Sequence, residues 1–500
     1  APPAPQATSA PANGETLVTA RKRSEALEDV PGAVSVVTAE DIEKGGLRSV
    51  SDAGRRVPNL SFVEFSSRRL SFPYVRGVGA GQGEAAVVTY VDDVPQLTTG
   101  STNLPLVGLE RVAFLRGPQG TLYGRNALGG VIKLESRRPG PEPRAELSAT
   151  LGDFDTREFG ASYSGPLGRG GGPYLDLTLF DFQRDGYTEN TFTGNSVDDR
   201  DAFFGRAQVL TTPGEHSEVT YGLYGERARD GGFVLSDLAG LKQDPHEINQ
   251  NFEGVAERDV LAPFVHWNWF GESTDFTSIT AYTDWDVLET SDFDFSPIDA
   301  VRRTTKEDQA YLYQELRLSS ATARAEEAPP AIGAGLRWLA GVQAFSADSD
   351  RSAANDFRLP LPLVGVDTTS GDFDDLGVGI FGEATLAVRD DVDLTAGLRY
   401  DHESKEAELQ STFVDGSGTV LSNVQSSFDE DFDVVLPSFA ASWRAGEDAA
   451  LYGTVAKGYR AGGFNLRAPA GQEQFDPEEN WSYEVGLKTA PEHPFYDVAA

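Results

Sequence analysis

The stretch that decides the fold is Arg116-Gly-Pro-Gln-Gly-Thr-Leu-Tyr-Gly-Arg-Asn-Ala-Leu-Gly-Gly130. It lies between two strand-like runs, residues 111–115 and 131–136, and so predicts a turn that joins two strands. Five of its fifteen residues are glycine, which permits left-handed backbone conformations and close approach of neighbouring chain. We therefore expect this segment to be threaded through a crowded interior. The alternative is an ordinary glycine-rich surface loop.

Enzyme motifs compete with this interpretation, and the sequence does not support them. The stretch holds no G-x-x-x-x-G-K-[ST] pattern and no G-x-G-x-x-G that opens a helix, so a phosphate-binding loop is disfavoured. The five histidines are scattered, and none forms H-E-x-x-H. No nucleophile elbow occurs in a strand–turn–helix context. We therefore predict that the protein is not an enzyme.

The composition points to the cell envelope. The chain has no Cys and no Met, and its formal net charge is -36. Without cysteine there is no thiol catalysis, disulfide or Cys-metal site, and the negative charge argues against nucleic acid as a partner. No run approaches the ~18 apolar residues of a membrane-spanning helix, a result that a transmembrane β-barrel also produces. The opening Ala1-Pro-Pro-Ala-Pro, without Met, is typical of an export-processed end.

The first 138 residues predict a tether and a small α+β unit. Residues 1–14 are rich in Ala and Pro, which predicts a flexible tether. A short β-prone run follows, formed by Glu15, Thr16, Leu17, Val18, Thr19 and Ala20. Further on, the pattern Thr38-x-x-Asp41 predicts the start of a short helix that ends at Gly45-Gly46. Strand-like pieces then alternate with turns as far as residue 138.

After Pro139 the sequence predicts β-hairpins. Leu394, Ala396 and Leu398, for example, alternate with Thr395, Gly397 and Arg399. A period of two with one apolar set is what a sheet between lipid and water requires. We count fourteen candidate strands between residues 145 and 490, and a fifteenth that begins near 495.

Turns and loops alternate in length along the same region. Short turns alternate with long polar stretches that we interpret as loops, at residues 185–199, 229–254, 351–376 and 404–430. This asymmetry is typical of outer-membrane barrels, whereas a soluble β-sandwich is the alternative.

Several motifs resemble those of the TonB-dependent outer-membrane receptors. They are "VPGAVSVVTAEDI" at 30–42, "YVRGVG" at 74–79, "YVDDVP" at 90–95, "LERVAFLRGPQGTLYGRNALGGVI" at 109–132, "KGYRAGGFN" at 457–465 and "FDPEENWSYEVGLK" at 475–488. The resemblance implies a membrane all-β fold: a large antiparallel transmembrane β-barrel, with 22 strands in the complete protein, occluded by an N-terminal α+β plug domain. It implies a periplasmic tether at 1–14, a TonB box at 15–20, a plug at 21–138 and a barrel at 139–500. We expect the sequence to be the N-terminal part of a longer protein.

The family resemblance also implies a function. It is active import of a scarce nutrient across the outer membrane of a Gram-negative bacterium, with the N-terminus and plug facing the periplasm. A ferric siderophore complex is the first expectation; cobalamin, haem or an oligosaccharide are alternatives, and a passive plugged porin or an adhesin-like barrel is an alternative of another class. The implied partners are TonB, energised by ExbB and ExbD, outer-membrane lipid and lipopolysaccharide, and a small-molecule ligand. No cofactor is expected.

Three sets of residues are candidates for this function. The TonB box at Glu15–Ala20 is expected to pair edge-on with a strand of its partner, so that main-chain hydrogen bonds supply the affinity. Family plugs are locked to the barrel by arginine–glutamate pairs, and Arg76, Arg116 and Glu484 match those positions. The plug loops at 65–70, 79–84 and 96–103 are the ligand candidates, and within them Arg68, Arg69 and Gln82 suit an anionic or oxygen-rich ligand.

The excess of acidic residues falls on the barrel half. Acidic runs such as Ser291-Asp-Phe-Asp-Phe-Ser296 and Asp372-Phe-Asp-Asp375 are interpreted as solvated outer loops. Ca²⁺ ligation by these clustered carboxylates is the alternative.

Overall fold

The structure is a computed structural model that describes residues 17–65, 70–81, 83–98, 103–168, 172–232, 234–236, 238–321, 335–359, 364–446, 449–469 and 471–489. The predicted tether, Glu15 and Thr16 lie outside the described residues. In these described ranges, no helix has the length and apolar character needed to cross a membrane.

The N-terminal part forms a hairpin and a small α+β domain. Its elements are β1 (Leu17–Val18), β2 (Glu25–Ala26), β3 (Ala33–Thr38), α1 (Ala39–Gly45), α2 (Val50–Gly54), β4 (Leu60–Glu64), β5 (Ser71–Val75), β6 (Val78–Gly79), β7 (Glu84–Val91), β8 (Val94–Thr98), β9 (Leu109–Arg116), α3 (Gly120–Tyr123) and β10 (Gly130–Ser136). β1 pairs with β2, and the central sheet has the order β3-β9-β10-β7-β8. β4, β5 and β6 form a separate small sheet. The predicted plug, residues 21–138, comprises these elements from β2 onward.

Helix α1 begins where the capping pattern predicts. The hydroxyl of Thr38 accepts a hydrogen bond from the Asp41 N–H, and the Asp41 carboxylate accepts one from the Thr38 N–H at 3.0 Å. The helix ends at Gly46, whose φ of 59° lies in the left-handed region that favours glycine. Both local predictions are confirmed, because capping depends only on residues within one turn.

The glycine-rich stretch runs through the interior of the molecule. It connects β9 to its antiparallel partner β10, and residues 120–130 are all buried. Its turn contains the one-turn helix α3, which the sequence did not predict. A Cβ on Gly120 would lie 3.0 Å from the Lys457 carbonyl oxygen, so the barrel backbone passes directly against this segment. The prediction of a threaded, crowded segment is confirmed, and the surface-loop alternative is wrong.

Gly124 is a position in this stretch where an added side chain is expected to be costly. Its φ is +76°, and a Cβ there would lie 2.6 Å from the Arg399 guanidinium. We expect Gly124→Ala to lower the free energy of unfolding by about 1–3 kcal/mol, through backbone strain and displacement of Arg399. Chemical unfolding in detergent micelles measures this. Gly140→Ala is the control, because nothing lies within 4 Å of a Cβ there; equal effects at both positions would contradict the assignment.

The rest of the chain forms one large sheet with small loop elements. Its elements are β11 (Arg144–Gly152), β12 (Thr156–Pro166), β13 (Tyr174–Arg184), β14 (Thr188–Asn190), β15 (Asn195–Val197), β16 (Arg200–Gly214), β17 (Ser217–Gly231), α4 (Leu238–Gln243), β18 (Glu247–Ile248), β19 (Val255–Phe270), β20 (Thr274–Asp292), β21 (Val301–Ser320), β22 (Leu336–Phe357), β23 (Gly365–Arg389), β24 (Val392–Asp415), β25 (Val420–Arg444), β26 (Ala449–Arg460), β27 (Gly463–Phe464), β28 (Gln474–Phe475) and β29 (Glu478–Thr489). Leaving out β14, β15, β18, β27 and β28, they form a single antiparallel sheet of 14 strands in chain order. The predicted number of strands between residues 145 and 490 is confirmed for the described residues.

The inner face of this sheet surrounds the plug. Plug residues contact strands along the sheet, from Ser136, whose hydroxyl accepts from Arg206 on β16 at 2.7 Å, to Arg76, which pairs with Glu484 on β29. On the outer face, Leu394 and Leu398 are 48% and 57% exposed, as the alternating pattern predicts for lipid-facing positions. The fold is a membrane all-β barrel sheet around an α+β plug.

Two of the predicted long loops are wrong. Residues 351–376 and 404–430 lie mostly in strands β22 to β25, which are 22 to 25 residues long. These strands continue beyond the apolar belt, where outward-facing side chains such as Asp372, Glu406 and Glu408 are polar, so the apolar half of the alternation disappears from the outer face. In contrast, the region 185–199 carries β14 and β15, and 229–254 carries α4 and β18, with connecting loops.

The strand extensions align carboxylates in a row across the outer face. Successive members are direct cross-strand partners. We call them the acidic row: Asp259, Asp286, Asp308, Asp350, Asp372 and Glu408. Asp372 therefore belongs to a strand and not, as predicted, to an outer loop.

Like charges that face each other across a sheet are destabilising, so the acidic row has a measurable consequence. We expect Asp308→Asn to raise stability by roughly 0.2–1 kcal/mol for each of its two acidic neighbours at low salt, with a smaller gain at high salt because ions screen the repulsion. Thermal unfolding in detergent at the two salt concentrations measures it. The matched control is Asp356→Asn, whose carboxylate pairs with Arg358 at 2.9 Å and should gain nothing.

Candidate functional site

The predicted TonB box is partly buried inside the barrel. Val18 and Ala20 are 0% and 1% exposed, and β1 is paired with β2. The Tyr123 hydroxyl donates to the Ala20 carbonyl oxygen at 2.9 Å, and Lys133 Nζ donates to the Thr19 carbonyl oxygen at 3.1 Å. One edge of β1 is therefore occupied by β2, and the carbonyl oxygens of Thr19 and Ala20 already accept hydrogen bonds from plug side chains.

Three consecutive cations follow the box: Arg21, Lys22 and Arg23. Lys22 Nζ makes a close ion pair with Glu315 of β21. Arg21 and Arg23 bind Glu25 at 2.5 and 3.0 Å, and both lie 3.4–3.5 Å from Glu383 of β23. We call residues 17–26 the N-terminal segment. Sequence analysis missed these pairs; the only signal was the basic triplet itself.

Burial and neighbouring charges shift the pKa values of this segment. It lowers the pKa of Lys22 to about 8, against the opposing influence of Glu315. Glu25, also buried, keeps a lowered pKa because Arg21 and Arg23 outweigh the desolvation that would raise it. Ion pairs thus hold the segment inside the barrel, because its buried charges have no water to solvate them and must pair with one another.

Of the two arginines at the family's plug–barrel positions, Arg76 pairs with Glu484 and Arg116 does not. Arg76 Nη1 lies 2.6 Å from Glu484 Oε2, and the Tyr452 hydroxyl donates to Glu484 Oε1 at 2.6 Å. Arg116 instead donates to the Pro58 carbonyl oxygen at 3.1 Å, and within the described ranges it forms no ion pair inside 4.0 Å. Burial and the neighbouring Arg76 lower the pKa of Arg116.

The three predicted ligand residues cannot be placed. Arg68, Arg69 and Gln82 lie outside the described residues. The loop 79–84 ends at Glu84, the first residue of β7.

A cavity opens above Glu84, at the barrel end opposite the N-terminal segment. The segment contacts Thr395 near the start of β24, whereas Glu84 contacts Lys405, roughly 33 Å further along that strand. The cavity measures about 480 Å³, and a second one of about 620 Å³ shares Leu466 and Arg467 with it. We call the two together the upper cavity.

Charged and aromatic side chains line the upper cavity. The cations are Arg125, Arg303, Arg351, Lys405, Arg460 and Arg467, the carboxylates are Glu84, Glu307, Asp367, Asp375, Glu473, Asp476 and Glu478, and the rings are Phe373, Phe464 and Phe475. The Arg351 guanidinium lies 4.9 Å from the ring centre of Phe373, and that of Arg303 lies 3.4 Å from the ring of Phe293. Phe464 stacks on Phe428 at 5.2 Å. Such a lining combines bidentate donors with flat apolar surface.

The floor of the upper cavity is a cluster of charges from the plug and the barrel. Glu84 Oε1 lies 2.7 Å from both Arg125 Nη2 and Lys405 Nζ, and Asn126 donates to Glu84 Oε2 at 2.6 Å. Asp375 lies 3.3 Å from Lys405, and Glu403 lies 3.1 Å from Arg125. We call these six residues the apex cluster.

Glu84 remains a carboxylate in the apex cluster. Burial would raise its pKa, but Arg125 and Lys405 outweigh burial and hold the pKa well below its usual range. This cluster is not predictable from local sequence patterns, because its plug and barrel members are about 300 residues apart.

The acidic runs do not form a cation site in the described part of the chain. No group of three or more His, Asp or Glu side chains is arranged there to hold a metal ion. Asp292 and Asp294 instead accept hydrogen bonds from backbone N–H groups, such as those of Phe295 and Val301.

Comparison with known proteins agrees with the geometry. Residues 26–131 match the family described as the TonB-dependent receptor plug domain, and residues 151–500 match the family described as TonB dependent receptor-like, beta-barrel. The pesticin receptor of Yersinia pestis is 24% identical over 482 residues, which cover 94% of this chain and 68% of the relative. The vitamin B12 transporter BtuB of Photobacterium profundum is 30% identical over 162 residues, 32% of this chain and 26% of the relative.

A solved structure shares the fold. The crystal structure of the ferric yersiniabactin uptake receptor FyuA from Yersinia pestis matches with a TM-score of 0.79 at 22% identity, over 92% of this chain and 70% of that one. Since the barrel family alone matches residues 151–500, the chain belongs to the TonB-dependent receptors, transporters of the Gram-negative outer membrane whose plug faces the periplasm and which bind TonB and a small-molecule ligand.

Proposed function

We propose that this protein imports a ferric siderophore complex. The observation that carries the proposal is the arrangement across the plug: an arginine- and aromatic-lined cavity on the outer side, and a buried N-terminal segment on the periplasmic side. Siderophore complexes present anionic oxygens around iron, which arginine forks bind with charge-assisted hydrogen bonds. The relatives named for pesticin and ferric yersiniabactin support the same ligand class.

The box at residues 15–20 is the segment that TonB binds and through which it transfers energy to the plug. Its residues leave the β1–β2 pairing and add to a strand of TonB, because one strand edge cannot serve both partners. ExbB and ExbD supply the energy from the inner membrane, since the outer membrane has none of its own. The outer face of the barrel contacts lipid and lipopolysaccharide. Residues 1–14 form the tether, and the plug and barrel meet near residue 138.

Arg76 and Glu484 form a latch between plug and barrel. We expect Glu484→Gln and Arg76→Gln each to destabilise the plug, since either leaves a partly buried charge unpaired. The double variant should lose less than the sum, with a coupling energy of roughly 0.5–3 kcal/mol in a double-mutant cycle. Unfolding in detergent measures this. Additive effects would show that the two side chains do not act as a latch.

Labelled-iron uptake under iron starvation tests the proposed ligand. Cells expressing the receptor, with and without residues 15–20, are given a panel of ferric siderophores of different charge. The expected result is uptake of one chelate that disappears with the box, while binding persists. Box-dependent growth on cobalamin or a glycan, without iron uptake, would show that the ligand belongs to that class and is not a ferric siderophore. Flux that ignores the deletion would indicate a passive channel and overturn energised import.

A further inference from the structure

We propose that the apex cluster is an anion-exchange switch, in which an acidic oxygen of the bound ligand replaces the Glu84 carboxylate on Lys405 and Arg125. The exchange releases the plug apex from the barrel wall. This inference rests on the proposed function for the ligand's charge. Beyond that function, it assigns ligand sensing to the Glu84 carboxylate and names its ion pairs with Lys405 and Arg125 as the contacts that the ligand breaks.

Glu84 is the only plug carboxylate in the apex cluster. Asp375 and Glu403 belong to barrel strands β23 and β24, whereas Glu84 begins plug strand β7. Its side chain is 17% exposed, compared with 3% for Lys405, so it lies at the solvent side of the cation that it binds. An acidic group of a ligand that enters from the upper cavity therefore reaches Lys405 at the position where Glu84 now forms its ion pair.

The cluster's hydrogen bonds are incomplete, which a purely structural network would avoid. Within the described residues, Arg125 Nε and Nη1 and both carboxylate oxygens of Glu403 have no hydrogen-bond partner, although Arg125 and Glu403 are close enough to attract. The Tyr459 hydroxyl, also buried, has none. All three side chains are more than nine-tenths buried beneath the upper cavity. Arg125 thus has N–H donors that no group in the described residues satisfies with a hydrogen bond.

The charge balance makes the exchange reversible. The cluster holds three carboxylates and two cations, so its cations are already neutralised. A ligand acid that displaces Glu84 restores the same balance, and Glu84 moves into the hydrated cavity without an unpaired buried charge. A neutral ligand gains nothing by displacing it. The switch therefore responds to anionic chelates.

A contiguous path leads from Glu84 to the N-terminal segment. β7 pairs with β10 from Val87↔Gly130 to Val91↔Leu134. Near the far end of β10, Lys133 Nζ donates to the Thr19 hydroxyl at 2.7 Å, and Glu135 accepts from the same hydroxyl. A shift of β7 thus changes the strand that holds Thr19, and with it the residues of the box.

The test uses thiol reactivity, because the sequence contains no cysteine. Val18→Cys introduces a single thiol at a buried position of the N-terminal segment. In the purified receptor without ligand, Glu84→Gln should raise the rate of maleimide labelling at position 18 about tenfold, since this variant lacks the ion pair with Lys405. Lys405→Gln removes the same ion pair from the barrel side and should raise the labelling rate by a similar factor. Unchanged labelling in both variants would overturn the proposal.

Glu478→Gln is the matched control. Glu478 lines the same cavity and pairs with Arg460 at 3.3 Å, so its replacement removes an equal charge without touching Lys405. It should leave labelling unchanged; a rise equal to that of Glu84→Gln would show a general charge effect and overturn the switch. If Glu84→Gln fails to fold, Lys405→Gln carries the comparison.

Ligand binding distinguishes the switch from the proposed function. In de-energised cells, Glu84→Gln should bind the imported ferric chelate about tenfold more tightly, because the competing carboxylate is gone. Weaker binding would make Glu84 a ligand contact and would overturn the exchange. If no ferric chelate is imported, the proposed function fails, while the labelling comparison still decides whether Glu84 and Lys405 control the N-terminal segment.

Discussion

Replacing Leu17 with proline is expected to abolish energised uptake while ligand binding is retained. Proline removes a backbone N–H and fixes φ, so the residue can no longer serve as a regular strand position for TonB. The upper cavity, the proposed ligand site, lies on the opposite side of the plug from Leu17. Uptake and equilibrium binding of the labelled ligand, measured in the same cells, test the expectation. The expected loss of uptake is at least a hundredfold.

Leu17→Ala is the control for this change. Alanine keeps the backbone N–H, and strand addition depends chiefly on main-chain hydrogen bonds, so most uptake should remain. Full uptake in Leu17→Pro would contradict the assignment of the box. An equal loss in both variants would show that the Leu17 side chain, rather than its main chain, is what the partner reads.

Replacing Glu315 with glutamine is expected to release the N-terminal segment from the barrel. Glu315 is buried and pairs with both Lys22 and Arg317, the latter at 2.7 Å. Removing one partner of a buried pair typically costs about 3–5 kcal/mol, because the remaining charges lose their compensation. Local opening should therefore become easier by two or more orders of magnitude. Maleimide labelling of Val18→Cys measures the opening.

Glu218→Gln provides the comparison for Glu315. Glu218 is also buried and pairs with Arg138, but it does not touch the N-terminal segment. Labelling at position 18 should stay at the level of the unmodified barrel. If Glu315→Gln leaves labelling unchanged, or if Glu218→Gln raises it as much, the segment is not held by the Lys22–Glu315 pair.

Features that depend on nearby residues were predictable from the sequence. Helix α1 follows from Thr38 and Asp41, and the tight passage of residues 120–130 follows from the glycines of that stretch. The 14 strands follow from the period of two that a wall between lipid and lumen imposes. The pair of Arg76 with Glu484 was accessible only through the family resemblance.

Features that depend on the assembled barrel were not predictable. Strands β22 to β25 extend beyond the lipid, where water on the outside removes the apolar half of the pattern, so polarity alone suggested loops. The pairs of Lys22 with Glu315 and of Glu84 with Lys405 join residues about 300 positions apart. Nothing in the local sequence of Glu84 distinguishes it from a solvated acid. Arg116 donates to the Pro58 carbonyl oxygen, and its place in the latch stays a prediction.

Cross-linking between the box and TonB tests directly whether the box joins a strand of TonB during import. Val18→Cys is paired with single cysteines along the TonB strand that the box would join, and disulfide formation is measured in energised cells with and without the imported ligand. The account predicts a cross-link that increases with ligand and disappears in Leu17→Pro. Undiminished ligand uptake without any cross-link at Leu17→Cys, Val18→Cys or Thr19→Cys would contradict it.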